Sequence, residues 1–239
     1  MDTQIVTPVA APPILELDLI ADFACPWSFL GKRSMERALG SLYGLPVRAL
    51  RWHGFRPQIE LALTHGESSV TWRDHLAKRL PAGVTVDFAH KSLAEAGEGL
   101  GIRFDFAKLG KLPDTTEAHR IVAIAAREEK HSEVADGLFR AFFEQGRDIG
   151  DIKVVEDVAR ESHVGAETLL AFANAAEGRE EIAADEKRLR GFGVTVTPNL
   201  LINGRVLVPG PADVSTYVQA LDQALFPQLP APADKKHLH

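Results

Sequence analysis

Residues 14–39 read ILELDLIADFACPWSFLGKRSMERAL, and this stretch decides the fold. Its first seven residues, ILELDLI, alternate in polarity and are partly β-branched, which predicts a strand. From Pro26 to about Leu42, apolar residues recur near helical spacing, which predicts a helix. Cys25 lies at the junction between the two, and it is the only cysteine of the chain.

A second strand is predicted at about 46–53 (PVRALRWH), which gives the strand, helix, strand order that opens an α/β unit. The other half of this unit comes much later in the sequence. NLLINGRVLV (199–208) places two apolar runs around Asn203-Gly204, the strongest short signal for a β-hairpin. A final helix is predicted from about Ala212 to Leu225.

Between these halves the sequence favours helix almost throughout. The predicted helices cover 68–80, 88–100, 114–130, 132–145, 151–162, 166–176 and 178–190. Asp114, with Glu117 three residues later, has the capping-box pattern of a helix start, and Asp151 is a candidate cap for another helix. The sequence therefore predicts an α/β fold that a long helical segment interrupts.

The composition of the 239 residues is that of an ordinary globular protein with a net charge of −6. No basic stripe is present, so nucleic acid is not an expected partner. No apolar run approaches the roughly 20 residues that span a bilayer, so no membrane partner is expected either. Residues 1–13 lack the pattern of a secretion signal, and a lone cysteine is typical of a reducing compartment; both features predict a cytoplasmic location. No histidine or cysteine spacing predicts a metal site.

Cys25 is a candidate nucleophile because of its position. If it immediately precedes a helix that begins with Pro26, the free N–H groups of Trp27 and Ser28 point toward its sulfur. The positive helix end and a hydrogen bond from the Ser28 hydroxyl would then lower the pKa of Cys25 well below that of a free thiol. The alternatives are that Cys25 is a small buried apolar residue, that Ser28 is an ordinary first-turn residue, and that Trp27 fills the core instead of lining a substrate groove.

The stretch DFACPWSFLGKRSMERAL (22–39) resembles the active-site segment of DsbA-like thioredoxin-fold proteins, in the FrnE-like branch. That branch is also similar to 2-hydroxychromene-2-carboxylate isomerases and class kappa glutathione transferases. The resemblance covers about 14–226, continuing through RWHGFRPQ (51–58), DTTEAHR (114–120), LFRAFFEQGRDIGD (138–151) and GVTVTPNLLINGRVLVPG (193–210).

The resemblance implies an α/β thioredoxin fold with a large all-helical insertion. A thioredoxin-like domain would comprise 14–63 and 191–226, and a helical insertion domain would comprise 64–190. Residues 1–13 and 227–239 are predicted to be flexible termini.

The resemblance also implies how a substrate is held. Pro198 is expected to be a cis-proline that faces the active site, and the Thr197 backbone is expected to bind an extended thiol substrate. His53 and the DTTEAHR helix are expected to border the substrate groove, with His119 packed or capping rather than catalytic. Asp114 stands where the family usually has Asn. The predicted catalytic residues are Cys25 and Ser28, and the predicted substrate-binding residues are Pro26, Trp27, Thr197, Pro198, His53 and Asp114.

One departure from the family pattern matters most. The FrnE-like motif is Cys-Pro-Trp-Cys, and here Ser28 takes the place of the second cysteine. A single thiol can attack a disulfide, but it cannot resolve the mixed disulfide that it forms.

Three functions follow as hypotheses. The first is a monothiol thiol-disulfide oxidoreductase that acts on a protein or small-molecule disulfide, uses glutathione as co-substrate and holds no tightly bound cofactor. The second is a glutathione-dependent isomerase or transferase, in which the region of Cys25 and Ser28 holds glutathione. The third is a non-catalytic thioredoxin-fold binding protein, which predicts an ordinary thiol pKa at Cys25. The resemblance also suggests a homodimer.

Overall fold

The sheet places Cys25 at the end of its most fully paired strand. The computed structural model describes residues 14–41, 47–56 and 70–226. Strand β1 (Leu15–Ala21) pairs in parallel with β2 (Val47–Gly54) and antiparallel with β3 (Asn199–Ile202), and β3 pairs antiparallel with β4 (Val206–Pro209). The strand order is β2-β1-β3-β4. The chain leaves β1 and enters helix α1 (Pro26–Ser41) directly after Cys25.

In the part of the chain that the structure describes, seven further helices lie between the two halves of the sheet, and one follows it. They are α2 (Trp72–Arg79), α3 (Val86–Gly99), α4 (Thr116–Ala125), α5 (His131–Phe143), α6 (Ile152–Glu161), α7 (Ala166–Ala173), α8 (Arg179–Gly191) and, at the end, α9 (Val214–Leu225). Short 3₁₀ turns occupy Phe106–Lys108 and Ala126–Glu128. No helix among these described segments is long and apolar enough to cross a membrane.

Two large apolar cores and a small cluster of Ile20, Phe55 and Leu189 hold the described elements together. One lies between the sheet and helices α1 and α9, and its fully buried members include Leu17, Leu19, Met35, Tyr217 and Leu221. The other lies among the inserted helices and takes in residues of the Cys25 region. Phe29 of α1 stacks on Phe139 of α5 with 4.9 Å between ring centroids. Aromatic packing therefore ties the helical segment to the start of α1.

The hairpin prediction is confirmed. Asn203 and Gly204 have φ angles of 51° and 64°, and the N–H of Arg205 donates to the carbonyl of Ile202 at 3.0 Å. Positive φ at both central residues is the geometry of a type I′ turn, which Asn-Gly adopts readily. The prediction that Asp151 caps a helix is also confirmed, because its carboxylate accepts from the N–H of Lys153 at 2.9 Å.

The capping box predicted at Asp114 is wrong. Helix α4 begins at Thr116, and the residue before it is Thr115. Asp114 accepts from the N–H of Thr116 at 3.0 Å, whereas Glu117 turns away from the helix start and accepts from Arg120 at 2.8 Å. Sequence spacing alone placed the helix start two residues early.

The predicted division into two domains stays a prediction. The boundary at 63–64 lies outside the described residues, as do the predicted flexible termini 1–13 and 227–239.

Candidate active site

Cys25 occupies the position that the sequence predicts, immediately before α1. Its N–H donates to the carbonyl of Asp22 at 3.1 Å, and its own carbonyl accepts from the N–H of Ser28 at 3.1 Å. Pro26 begins the helix, where its missing N–H removes no helical hydrogen bond. A tight turn thus carries the chain from β1 into α1 and fixes the sulfur at the helix start.

The loop before β3 lies against the sulfur. The peptide bond between Thr197 and Pro198 is cis, and the Cys25 thiol lies 3.6 Å from the carbonyl oxygen of Thr197, to which it donates. Gly31 allows this approach, because a Cβ at residue 31 would lie 3.0 Å from Cγ of Pro198 and 3.2 Å from the Tyr217 hydroxyl. The positions of Thr197 and Pro198 beside Cys25 agree with what the resemblance implies.

The predicted lowering of the Cys25 pKa is wrong. The thiol is only 5% exposed, and burial raises the pKa of Cys25 above its ordinary value. The negative charge of Asp22 acts in the same direction, because it disfavours a second anion nearby. Side-chain contacts from Ser28 and Thr197 and the Ser28 N–H favour the thiolate, but they do not outweigh burial. The resting sulfur is therefore a thiol at neutral pH.

Asp22 belongs to a buried polar chain beneath the sulfur. Burial alone would raise the pKa of Asp22, but hydrogen bonds from His119 and Thr115 hold it below its usual value. Thr115 donates its hydroxyl at 2.8 Å, and Nε2 of His119 lies 3.2 Å from the carboxylate. Trp52 donates its indole N–H to Nδ1 of His119 at 3.3 Å. Because Trp can only donate, Nδ1 of His119 is unprotonated and its proton lies on Nε2, toward Asp22.

A small depression opens onto the sulfur. It is lined by Cys25, its helix-start neighbours Pro26 and Trp27, the preceding Asp22 and Ala24, and the α2 residues Trp72, His75, Leu76 and Arg79. Its volume is about 10 Å³, roughly the room that one water molecule needs. Trp72 is fixed by an indole hydrogen bond to the carbonyl of Ala24 at 2.9 Å. Helix α2 and the loop at Thr197 therefore both lie against the thiol and together bury it.

Comparison with known proteins places this arrangement in a family. The model of the DSBA-like thioredoxin domain matches residues 16–222. The chain belongs to the DSBA-like thioredoxin domain family. The family resemblance inferred from the motifs is thereby confirmed, and so is the thioredoxin fold with a helical insertion.

Individual relatives of this DSBA-like chain are distant. YwbO of Bacillus subtilis (strain 168) is 24% identical over 217 residues, 87% of this chain and 96% of YwbO. The probable DsbA oxidoreductase SCO1869 of Streptomyces coelicolor has a TM-score of 0.72 at 20% identity, covering 93% of this chain and 94% of SCO1869. A 2-hydroxychromene-2-carboxylate isomerase has a TM-score of 0.64 at 16% identity, and the match covers 90% of this chain and 97% of the isomerase. The cytosolic disulfide reductase DsbM of Pseudomonas aeruginosa, solved with GSH, has a TM-score of 0.54 at 19% identity. The match covers 88% of this chain and 96% of DsbM. At these identities the structures are evidence of a shared fold.

The DSBA-like site brings together six of the eight predicted residues. Cys25, Pro26, Ser28, Thr197 and Pro198 meet at the helix start. Ser28 is fully buried, and its hydroxyl oxygen accepts from the N–H of Asp22 at 3.3 Å. The sixth residue, Trp27, is half-buried, and it both packs against the helical core and lines the depression, so the two alternatives for it are compatible.

His53 and Asp114 lie elsewhere in the DSBA-like fold. His53 lines a separate cavity of about 700 Å³ between β2, α4 and α8, where its two ring nitrogens contact Asp185 at 2.6 Å and Asp18 at 2.8 Å. Asp114 is exposed and lies 3.7 Å from Arg56. Neither residue lines the depression at Cys25. His119 is 1% exposed and packed, as expected.

Sequence reasoning missed four residues of the site: Asp22, Trp72, His75 and Arg79. Asp22 could have been suspected, because it is an acidic residue directly after an apolar strand and three positions before the cysteine. The α2 residues carry no motif, and only the packing of that helix brings them to the sulfur. His75 is buried enough, and close enough to Arg79, that its pKa is lowered to about 4. Its imidazole is therefore neutral at physiological pH.

Proposed function

We propose that this DSBA-like protein is a monothiol thiol-disulfide oxidoreductase whose nucleophile is Cys25. The observation that carries the proposal is the 3.6 Å contact between the Cys25 thiol and the carbonyl of Thr197, next to cis-Pro198. A substrate disulfide that reaches the sulfur meets it at a helix start, with the adjacent Thr197 backbone available to orient the substrate chain. The Ser28 N–H and hydroxyl, which favour the thiolate, would stabilise negative charge on the sulfur during exchange.

The proposed reaction has two balanced steps. Cys25 loses its proton, and its sulfur attacks the glutathionyl sulfur of a mixed disulfide; a Cys25–glutathione disulfide forms, and the substrate leaves as a thiolate that takes up a proton. A free glutathione thiolate then attacks this disulfide, which regenerates the Cys25 thiol and releases oxidised glutathione. Overall, the peptide sulfur is reduced from disulfide to thiol and the sulfur of the free glutathione is oxidised from thiol to disulfide, so one disulfide is exchanged for another and no further oxidant or reductant is needed.

Ser28 explains why a second thiol from solution is required. A serine hydroxyl cannot displace Cys25 from a mixed disulfide, so resolution depends on an external thiol. Glutathione is the abundant small thiol of reducing compartments, and a chain with one cysteine suits such a compartment. We therefore place the activity in the cytoplasm, with glutathione as co-substrate.

The test is a glutathionylated peptide with free glutathione and three proteins: wild type, Cys25→Ala and Ser28→Ala. We expect catalytic release of the peptide thiol by wild type, none by Cys25→Ala, and continued turnover by Ser28→Ala because no step uses the serine as a nucleophile. Equal release by wild type and Cys25→Ala would overturn the proposal.

A glutathione-dependent isomerase is the second candidate, and the raised pKa of Cys25 favours it. A protonated Cys25 would leave glutathione itself as the nucleophile, with Cys25 and Ser28 as hydrogen-bonding partners of its sulfur. Isomerisation of a small unsaturated substrate that needs added glutathione and survives Cys25→Ala would favour this candidate over the first. Loss of all conversion in Cys25→Ala would reject it.

A further inference from the structure

Arg79 is a charged residue at the site with nothing to neutralise it. It lies in the last turn of α2, is half-buried and lines the depression that contains Cys25. Among the side chains that the structure describes, it is the one arginine that is not exposed and makes no ion pair or hydrogen bond to a protein group. Its helix neighbour Arg73, by contrast, is exposed and pairs with Asp87 at 2.8 Å.

An unpaired guanidinium in this position points to an anionic ligand group. Arginine remains charged at all physiological pH values, and partial burial without a counter-ion is unfavourable. The nearby Asp22 carboxylate cannot serve, because it is buried and already holds Thr115 and His119. The planar fork of Arg79 matches a carboxylate, which it can bind through two parallel hydrogen bonds.

The remaining walls of the depression do not compete for this role. Trp27, Trp72 and Leu76 offer apolar contact, and His75 is neutral because its pKa is lowered to about 4. Lys78 is the other cation of the same helix turn, but it is exposed and does not line the depression. Among the residues that line the depression, Arg79 is therefore the one cation that a ligand bonded through sulfur to Cys25 can meet.

We propose that Arg79 binds a carboxylate of the substrate and makes the site selective for small thiols and disulfides that carry one, such as glutathione, over neutral thiols of similar size. This inference rests on the proposed function for its chemistry, since it assumes that the thiol half joined to Cys25 lies against the residues that line the depression. Arg79 would contribute to binding and selectivity without taking part in sulfur exchange.

The kinetic test compares two mixed disulfides of one peptide, one with glutathione and one with glutathione diethyl ester, which has the same tripeptide skeleton but no carboxylate. The proteins are wild type, Arg79→Gln and the matched control Lys78→Gln, which removes the same charge one residue away. We expect Arg79→Gln to react about tenfold more slowly than wild type with the glutathione disulfide. Its rate with the carboxylate-free disulfide should equal that of wild type. The rates of Lys78→Gln should stay within about twofold of wild type with both disulfides. Equal effects of Arg79→Gln on the two substrates would overturn the inference.

A binding measurement separates this inference from the proposed function. S-methylglutathione carries the carboxylates but cannot exchange sulfur, and its binding can be followed by tryptophan fluorescence or calorimetry. We expect Arg79→Gln to weaken binding about tenfold and Lys78→Gln to leave it nearly unchanged. Equal binding by wild type and Arg79→Gln would reject the role of Arg79 even if Cys25 is active. If Arg79→Gln binds S-methylglutathione more weakly but wild type shows no sulfur exchange, the proposed function is rejected and the role of Arg79 in binding still holds.

Discussion

The imidazole of His119 lies directly against Gly54: a Cβ at residue 54 would fall 2.6 Å from two of its ring atoms. This contact joins two distant sequence motifs, RWHGFRPQ and DTTEAHR, and it holds His119 between Trp52 and Asp22. The two motifs therefore share a structural role, which is to build the polar chain under Cys25.

Gly54→Ala is expected to displace His119 and to destabilise the protein by about 2–4 kcal/mol through overpacking and a lost buried hydrogen bond. The measurement is urea unfolding of both proteins. Gly40→Ala is the matched control, because a Cβ there meets nothing within 4 Å. Its helical position should make that variant equal to or about 0.5 kcal/mol more stable than wild type. Equal stability of the two variants would refute the contact.

Gly31→Ala should loosen the loop that covers the sulfur. The new methyl group would press on the Pro198 ring at 3.0 Å, so the carbonyl of Thr197 should move away from the Cys25 thiol. We expect faster alkylation of Cys25 by iodoacetamide than in wild type, with Gly40→Ala again as the control. An unchanged alkylation rate in a folded Gly31→Ala protein would argue against this account of the loop.

Asp22→Asn should make Cys25 more acidic. The Asp22 charge is one of the causes that raise the pKa of Cys25, so its removal should shift the thiolate absorbance titration to lower pH. Asp114→Asn is a suitable control, since that carboxylate is exposed and lies outside the depression. If the Cys25 titration moves to lower pH in both variants, or in neither, the placement of the Asp22 charge beside Cys25 is contradicted.

The pairing of His53 predicts a pH-dependent stability. Burial alone would lower the pKa of His53, but hydrogen bonds to Asp185 and Asp18 raise it above its ordinary value. Because the folded protein then binds the proton more tightly than the unfolded chain, this contribution is complete below about pH 6.5 and is lost as pH rises through the folded pKa. The pKa values of Asp18 and Asp185 are lowered, so their contribution is lost instead when pH falls below about 4.

We therefore expect the melting temperature of wild type to fall between pH 6.5 and 9 more steeply than that of His53→Asn. The lost stability should also appear as faster amide hydrogen exchange in α8, the helix that Asp185 links to β1 and β2 through His53. Parallel melting curves of the two proteins over this range would show that His53 is not held as a cation.

The parts of the fold that local sequence determines could be predicted. The strand before Cys25, the helix that begins at Pro26 and the Asn203-Gly204 hairpin each depend on residues close together in the chain. The position of Cys25 at a helix start belongs to the same group. The family motifs added the juxtaposition with the Thr197-Pro198 pair, of which Thr197 lies 172 residues from the cysteine.

The electrostatics of the site could not be predicted, because they depend on long-range packing. The residues next to Cys25 in sequence indicate the helix end and Ser28, which favour a thiolate. They do not indicate that α2 packs over the sulfur, and this packing contributes to the burial that raises the pKa. Trp72 reaches Ala24 from 48 residues away and His119 reaches Asp22 from 97. His53 was assigned to the substrate groove for the same reason, since its partner Asp185 lies 132 residues away.

We propose that Cys25 exchanges disulfides from a resting thiol, and its reaction with glutathione disulfide provides the decisive test. Intact and peptide mass spectrometry should find one glutathione on Cys25 that free glutathione removes. The rate of its formation should rise about tenfold per pH unit between pH 6 and 8, as the thiolate fraction does below the pKa of a thiol. Absence of the adduct at every pH in a folded protein would contradict the claim of exchange, and a rate independent of pH in this range would contradict the resting thiol.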